Sequence, residues 1–193
     1  MDDHIIYESP PALGKIVNET QSLGFDMASE PRTGAFLKTM AATKPGGRFL
    51  EIGTGTGLSA AWMLKGMDEQ STLVSIDSDE NAQGVAFEYL GDDPRFSIIC
   101  ADGAEWLATH QDKRYDFIFA DAWPGKFSHL PLALNILNTG GMYIIDDLLP
   151  QPNWPEGHAP LVQELVEQIE ALPGYTSVRM AWASGLMLVV RTG

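Results

Sequence analysis

Phe49-Leu50-Glu51-Ile52-Gly53-Thr54-Gly55-Thr56-Gly57-Leu58-Ser59 is the stretch from which the fold can be read. Phe49 to Ile52 reads as a buried strand, and from Gly57 the spacing of Leu58, Ala61, Trp62 and Lys65 reads as a helix. The glycines between them permit a tight turn, and they let backbone N–H groups approach a ligand at the positive end of the helix that follows. A dinucleotide fingerprint would run G-x-G-x-x-G; here an acid leads and the glycines fall as E-x-G-x-G-x-G.

Outward from this turn the chain alternates strand and helix. The patterning predicts strand 48–52, helix 57–67, strand 72–77, helix 80–90, strand 95–100, helix 103–110 and strand 115–120. A helix at 127–138, a strand at 142–146, a helix at 159–172 and closing strands near 175–182 and 185–191 follow. Near-continuous apolar runs such as Tyr115-Asp116-Phe117-Ile118-Phe119 and Met142-Tyr143-Ile144-Ile145 suit parallel strands covered on both faces. Ser9-Pro10-Pro11 opens one helix ahead of the core and Pro31 a second. Seven strands with helices between them make a doubly wound α/β sandwich, and Gly185 turns the last strand back antiparallel.

Composition bounds the function. The 193 residues are 45% hydrophobic and 20% charged, which suits a single domain with a full core. A net charge of −14 repels phosphate backbones, and no basic stripe offsets it, so nucleic acid is not the expected partner. No apolar stretch approaches the roughly 20 residues that span a bilayer, and Met1-Asp2-Asp3-His4 is acidic where a signal peptide is basic, so a cytoplasmic protein without membrane contact is expected. The single cysteine, Cys100, is read as a buried strand end.

Strand ends in such sheets carry the chemistry. Glu51 adds negative charge beside the turn, and Asp77, at the end of the second strand, sits where an acid accepts ribose hydroxyl protons. An anionic pocket with a ribose-binding acid favours a positively charged nucleoside cofactor, and S-adenosylmethionine carries both a sulfonium and an ammonium group. Asp121 follows the fourth strand, and Asp146 with Asp147 the fifth. Three carboxylates at adjacent strand ends repel one another unless a hard cation such as Mg²⁺, Mn²⁺ or Ca²⁺ neutralises them.

With Glu51–Ser59, Asp77, Phe119-Ala120-Asp121-Ala122-Trp123 and Gly140-Gly141-Met142-Tyr143-Ile144-Ile145-Asp146-Asp147 in this order, the chain resembles class I S-adenosylmethionine-dependent methyltransferases. More narrowly it is similar to the metal-dependent O-methyltransferases of the catechol and caffeoyl-CoA type. The resemblance implies a Rossmann-like core over 46–193, with N-terminal helices in 1–45 covering the site. It implies methyl transfer to a hydroxyl of a small aromatic vicinal diol held by the divalent ion. It implies cofactor contacts from Glu51, Gly53, Gly55, Gly57, Ser59, Asp77, Ser78, Asp102, Asp121 and Trp123, and metal ligation by Asp121, Asp146 and Asp147. A homodimer follows from the caffeoyl-CoA branch and a monomer from the catechol branch.

Each of these positions also has a plainer reading. Ser59 also reads as a first-turn helix residue, Asp77 as an N-cap, Trp123 as a core tryptophan, and Asp147 as the cap of a following turn. Asp102 with Glu105 three residues on makes a capping box, which leaves one carboxylate oxygen for the cofactor. Where the catechol enzymes read Asp-His-Trp-Lys, this chain reads Asp121-Ala122-Trp123-Pro124, so the base lysine is missing from its place. Lys126, two residues on, is either that base or a solvated lysine. His158, after the proline-rich Leu148–Gly157 loop, is either a second base or metal ligand, or the residue that opens the next helix. A metal-independent methyltransferase of the same fold is the alternative.

Overall fold

The computed structural model describes residues 8–193, so the acidic Met1–His4 start lies outside the described residues. Helices α1 (Leu13–Ser22) and α2 (Pro31–Ala41) come first. Strand β1 (Arg48–Ile52), α3 (Leu58–Gly66), β2 (Thr72–Asp77), α4 (Glu80–Leu90) and β3 (Phe96–Cys100) form the first half of the core. The second half is α5 (Gly103–Thr109), β4 (Tyr115–Ala120), α6 (Leu130–Asn135), β5 (Leu137–Ile145), α7 (His158–Glu170), β6 (Tyr175–Met180) and β7 (Leu186–Arg191).

The seven strands lie in the order β3-β2-β1-β4-β5-β7-β6. The first five are parallel, and β7 runs antiparallel to both β5 and β6. Period-two alternation splits the side chains between two cores. Phe49, Phe117, Phe119 and Ile144 face α1 to α4, while Leu50, Ile118, Tyr143 and Ile145 face α5 to α7. Each such fully buried large side chain contributes roughly 2–3 kcal/mol of burial free energy. Among the described residues no helix is long and apolar enough to cross a membrane.

Chain order reverses between β1 and β4, which opens a crevice at their carboxyl ends. The two ends approach closely there. Gly53 has φ +106°, and a Cβ on it would lie 2.8 Å from the Asp121 carbonyl oxygen, so only glycine closes this contact.

Three expectations are corrected. The helix expected at 127–138 is confined to Leu130–Asn135, and β5 begins at Leu137 rather than 142. Residues 123–128 are used up in a tight turn, Pro131 opens the helix, and Leu137 pairs with Tyr115. Cys100 is exposed rather than buried, because β3 is the edge of the sheet.

Candidate active site

Two cavities open at the β1/β4 crevice. One, of about 250 Å³, lies over the glycine turn and is bounded by Phe25, Gly55, Ser59, Asp77 and Asp121. The other, of about 370 Å³, is bounded by Asp121, Lys126, Asp146, Asp147 and His158. Asp121, Trp123, Met27 and Ser29 border both, so the two form one trough.

The glycine turn is built differently from its sequence reading. Its N–H groups are largely spent on the protein itself. Gly53 and Thr54 donate to the Ile76 carbonyl at 2.8 and 3.2 Å, Gly55 to Asp77 Oδ2 at 2.8 Å, and Gly57 to the Thr54 carbonyl at 2.9 Å. What the turn offers a ligand is its shape and the side chains it positions.

Glu51 also departs from expectation. It is fully buried and does not border the cavity; it stands behind Ser59, whose hydroxyl donates to its Oε1 at 2.5 Å, and the Ser75 hydroxyl donates to its Oε2. The chain of bonds runs on through Thr54, 2.6 Å from Ser75, to the Gln83 amide, which donates to Thr54 at 2.9 Å. Burial pushes the Glu51 carboxyl up to about 8, against the pull of the two hydroxyls, so it is mainly protonated at neutral pH rather than the fixed anion its sequence position implies. Ser59 is held by Glu51 and borders the cavity.

Asp77 borders the cavity and is no helix cap, since Asp79 caps α4 through the Asn81 and Ala82 N–H groups. Both Asp77 oxygens already accept a backbone N–H, from Gly55 and Asp79, and each keeps a lone pair for a ligand hydroxyl. Asp102 caps α5 through Oδ1 alone, accepting from Ala104 and Glu105. Asp102 and Ser78 are exposed, and neither borders either cavity. Trp123 is not a core residue. It is 51% exposed and stands at the junction of the two cavities.

Lys126 is turned inward by the tight 123–128 turn. The Trp123 carbonyl accepts from Phe127 at 3.0 Å and from Ser128 at 3.2 Å, and Gly125 N–H donates to the Ser128 carbonyl at 2.7 Å. The buried Tyr143 hydroxyl donates to the Gly125 carbonyl at 2.6 Å and pins the turn to β5. Lys126 is 5% exposed as a result, with Nζ 3.9 Å from Asp121 Oδ1. It is not a solvated lysine.

Asp121 accepts from the Ser29 hydroxyl at 3.1 Å, and burial with the nearby Asp146 charge raises its carboxyl to about 7. Asp146 is buried too and is raised by desolvation, although the Ser184 hydroxyl and the Asp147 N–H at 2.7 Å both donate to its Oδ1. Asp147 has φ +65°, and its Oδ2 accepts from the Trp154 indole at 3.0 Å.

The divalent ion implied by the resemblance is not matched by this arrangement. Asp121, Asp146 and Asp147 share a cavity, yet among the described residues no three Asp, Glu, His or Cys side chains converge as a metal-holding set. Asp147 is turned to Trp154, Asp146 Oδ1 is taken by two donors, and the cation facing Asp121 is Lys126. The donors as placed do not fit such an ion.

His158 opens α7 after Gly157, whose φ is +85°, and its side chain also borders the second cavity. Ser29, Ser184 and Gln83, which orient the carboxylates and the glycine turn, carried no sequence signal, because their roles arise from contacts 92, 38 and 29 residues away along the chain.

Comparison with known proteins bears on the family and the fold. The sequence profile of a family described as O-methyltransferase matches residues 3–191. A Mycobacterium ulcerans protein provisionally named O-methyltransferase is 28% identical over 174 residues, covering 85% of this chain and 78% of the relative. A similarly named Mycolicibacterium vanbaalenii relative is 32% identical over 61% of this chain, and the match spans only 54% of that protein. Among solved structures, the Bacillus cereus O-methyltransferase in complex with S-adenosylhomocysteine superposes with TM-score 0.83 at 18% identity, covering 98% of this chain and 94% of that one. The O-methyltransferase TomG from Streptomyces achromogenes, in complex with S-adenosylmethionine, gives 0.82 at 21% identity, covering 99% and 94%. The last two likenesses show the fold, and the profile match over nearly the whole length shows that the chain belongs to the O-methyltransferase family.

Proposed function

We propose that this protein transfers a methyl group from S-adenosylmethionine to a hydroxyl of a small aromatic acceptor. The observation that carries this reading is the trough itself: a nucleoside-sized cavity beside the Asp77 carboxylate meets a second cavity at Asp121 and Trp123, with the Lys126 ammonium 3.9 Å from Asp121. S-adenosylmethionine supplies a methyl group on a positively charged sulfur, activated for in-line displacement.

The protein's own residues do the rest. Asp77 receives the ribose hydroxyls, and Trp123 offers an exposed aromatic face to the adenine. Asp121, raised to about 7, is matched to accept the acceptor's hydroxyl proton near neutral pH. Lys126, itself withdrawn from water, then stands beside the oxygen anion as it forms and stabilises it. Asp121 returns the proton to solvent after the methyl ether leaves. Alignment of the two substrates in one trough supplies much of the remaining acceleration. The net charge of −14 and the carboxylates at the mouth support a small molecule over nucleic acid as acceptor.

Calorimetric titration with S-adenosylhomocysteine, then mass spectrometry of a phenol panel incubated with protein and S-adenosylmethionine, tests the reading. Micromolar binding and methylated phenols are expected; absence of binding overturns it.

A further inference from the structure

His158 is 8% exposed, and both of its ring nitrogens lack a hydrogen-bond partner. A buried polar atom left in this state costs about 1–3 kcal/mol, so such groups call for an explanation. The ring does not escape toward water because three aromatic rings hold it. Trp154 lies 4.5 Å away, Phe127 4.9 Å away and edge-on, and Trp123 6.2 Å away. It borders the same cavity as Asp121 and Lys126.

We infer that His158 is a binding residue for the methyl acceptor, hydrogen-bonding a second polar substituent while Lys126 and Asp121 hold the hydroxyl that is methylated. The inference rests on the methyl-transfer reading and adds the acceptor's class: a compact, flat, non-anionic molecule with a second hydroxyl or an equivalent group. Flatness follows from the aromatic walls, since Phe127 and Trp123 border the cavity beside the imidazole. Exclusion of anions follows from the cavity's charges. Asp26, Glu30, Asp121, Asp146 and Asp147 border it, and Lys126 is the one lysine or arginine among the described residues that do.

Burial lowers the imidazole's proton affinity, with Lys126 adding to the effect and Asp147 opposing it. A neutral ring offers one donor and one acceptor, and a hydroxyl satisfies either. In the resembling enzymes a metal ion holds the second oxygen of a diol. Here His158, on the same cavity as Asp121 and Lys126, supplies that second point of attachment.

The test uses the full chain saturated with S-adenosylhomocysteine and four probes: phenol, 1,2-dihydroxybenzene, 1,3-dihydroxybenzene and 3,4-dihydroxybenzoate. The ring-nitrogen resonances of His158, assigned by their loss in His158→Phe, are expected to shift with at least one dihydroxybenzene and not with phenol. That dihydroxybenzene is expected to bind about tenfold more tightly than phenol, a difference worth about 1.4 kcal/mol that His158→Phe abolishes. The benzoate is expected to bind more weakly than 1,2-dihydroxybenzene. His158→Phe is expected to leave S-adenosylhomocysteine affinity unchanged. Binding of the dihydroxybenzenes that leaves the wild-type resonances unmoved overturns the inference, as does equal binding of the benzoate. Binding of S-adenosylhomocysteine with no binding of any probe overturns it while leaving the methyl-transfer reading in place. Failure to bind S-adenosylhomocysteine overturns both.

Discussion

Lys126 Nζ, carried on the tight 123–128 turn, stands 3.9 Å from Asp121 Oδ1 at the end of β4, and the lysine is almost wholly withdrawn from water. A buried ammonium is held at high cost unless a carboxylate answers it. Asp121 answers it, and Asp146 adds a second negative charge close enough to shift Asp121 upward. Lys126→Met keeps most of the volume and removes the charge. It is expected to lower kcat by ~10²–10³-fold, the usual loss when a donor to a developing oxyanion is removed. S-adenosylhomocysteine affinity, read by calorimetry, is expected to stay within about threefold, since Lys126 does not border the cofactor cavity. A kcat within threefold of wild type would remove Lys126 from the reaction.

Chelation tests the cation's identity directly. Because Lys126 faces Asp121 and the three aspartates do not converge, protein dialysed against EDTA is expected to retain its turnover, and added Mg²⁺ to leave it unchanged. Loss of turnover that Mg²⁺ alone restores would return Asp121, Asp146 and Asp147 to the role of ligands.

Glu51 and Asp121 predict how stability varies with pH. Both carboxyls are raised in the folded state, to about 8 and about 7, so between their unfolded values and these the native protein binds more protons than the unfolded chain. Stability therefore falls as pH rises through this window, by about 1.4 kcal/mol per pH unit for each group that titrates only in the unfolded state. Above pH 8 the Glu51 contribution levels off. Glu51→Gln removes one of the two protons and is expected to make the slope of unfolding free energy between pH 5 and pH 8 shallower by about that amount, as read from urea melts. An unchanged slope would mean that Glu51 is ionised throughout the window.

The sequence carried the frame and left out the side-chain pairings. Strand periodicity in Phe49–Ile52 and Tyr115–Ala120, with glycines between strand and helix, was enough to place Asp77, Asp121, Asp146 and Asp147 at strand ends. That information is local, and the fold preserves it. Where a residue's role depends on a partner far along the chain, local pattern could not supply it. Glu51 reads from the sequence as a negative charge beside the turn because nothing adjacent signals that Ser59 and Ser75 enclose it. The inward course of Lys126 depends on Tyr143 reaching Gly125 from another strand, which is a tertiary contact with no signature at residues 121–126. The metal expectation came from carboxylate identity at three strand ends. Identity does not fix direction, and Trp154, seven residues on, draws Asp147 aside.

Gly125 links the fold to the chemistry most tightly, and it can be tested by a double-mutant cycle. Its φ is +86°, and a Cβ there would lie 2.8 Å from the Tyr143 hydroxyl oxygen and 3.0 Å from Ile52 Cδ1. Gly125→Ala thus combines an unfavourable backbone conformation with a clash against a buried donor, and is expected to cost about 2–3 kcal/mol, or roughly 4–12 °C in Tm for a chain of this size. Tyr143→Phe leaves the Gly125 carbonyl without its donor in a buried place, for about 1–3 kcal/mol. In the double variant the hydroxyl that the new methyl would strike is gone, so the two costs are expected to sum to less than additive by about 0.5–1.5 kcal/mol. Turnover is the second readout. If the turn exists to aim Lys126, Tyr143→Phe is expected to lower kcat several-fold at a temperature where the variant is fully folded, with S-adenosylhomocysteine affinity unchanged. Additive stabilities with an unaffected kcat would show that the Tyr143–Gly125 bond steadies the turn without directing the lysine.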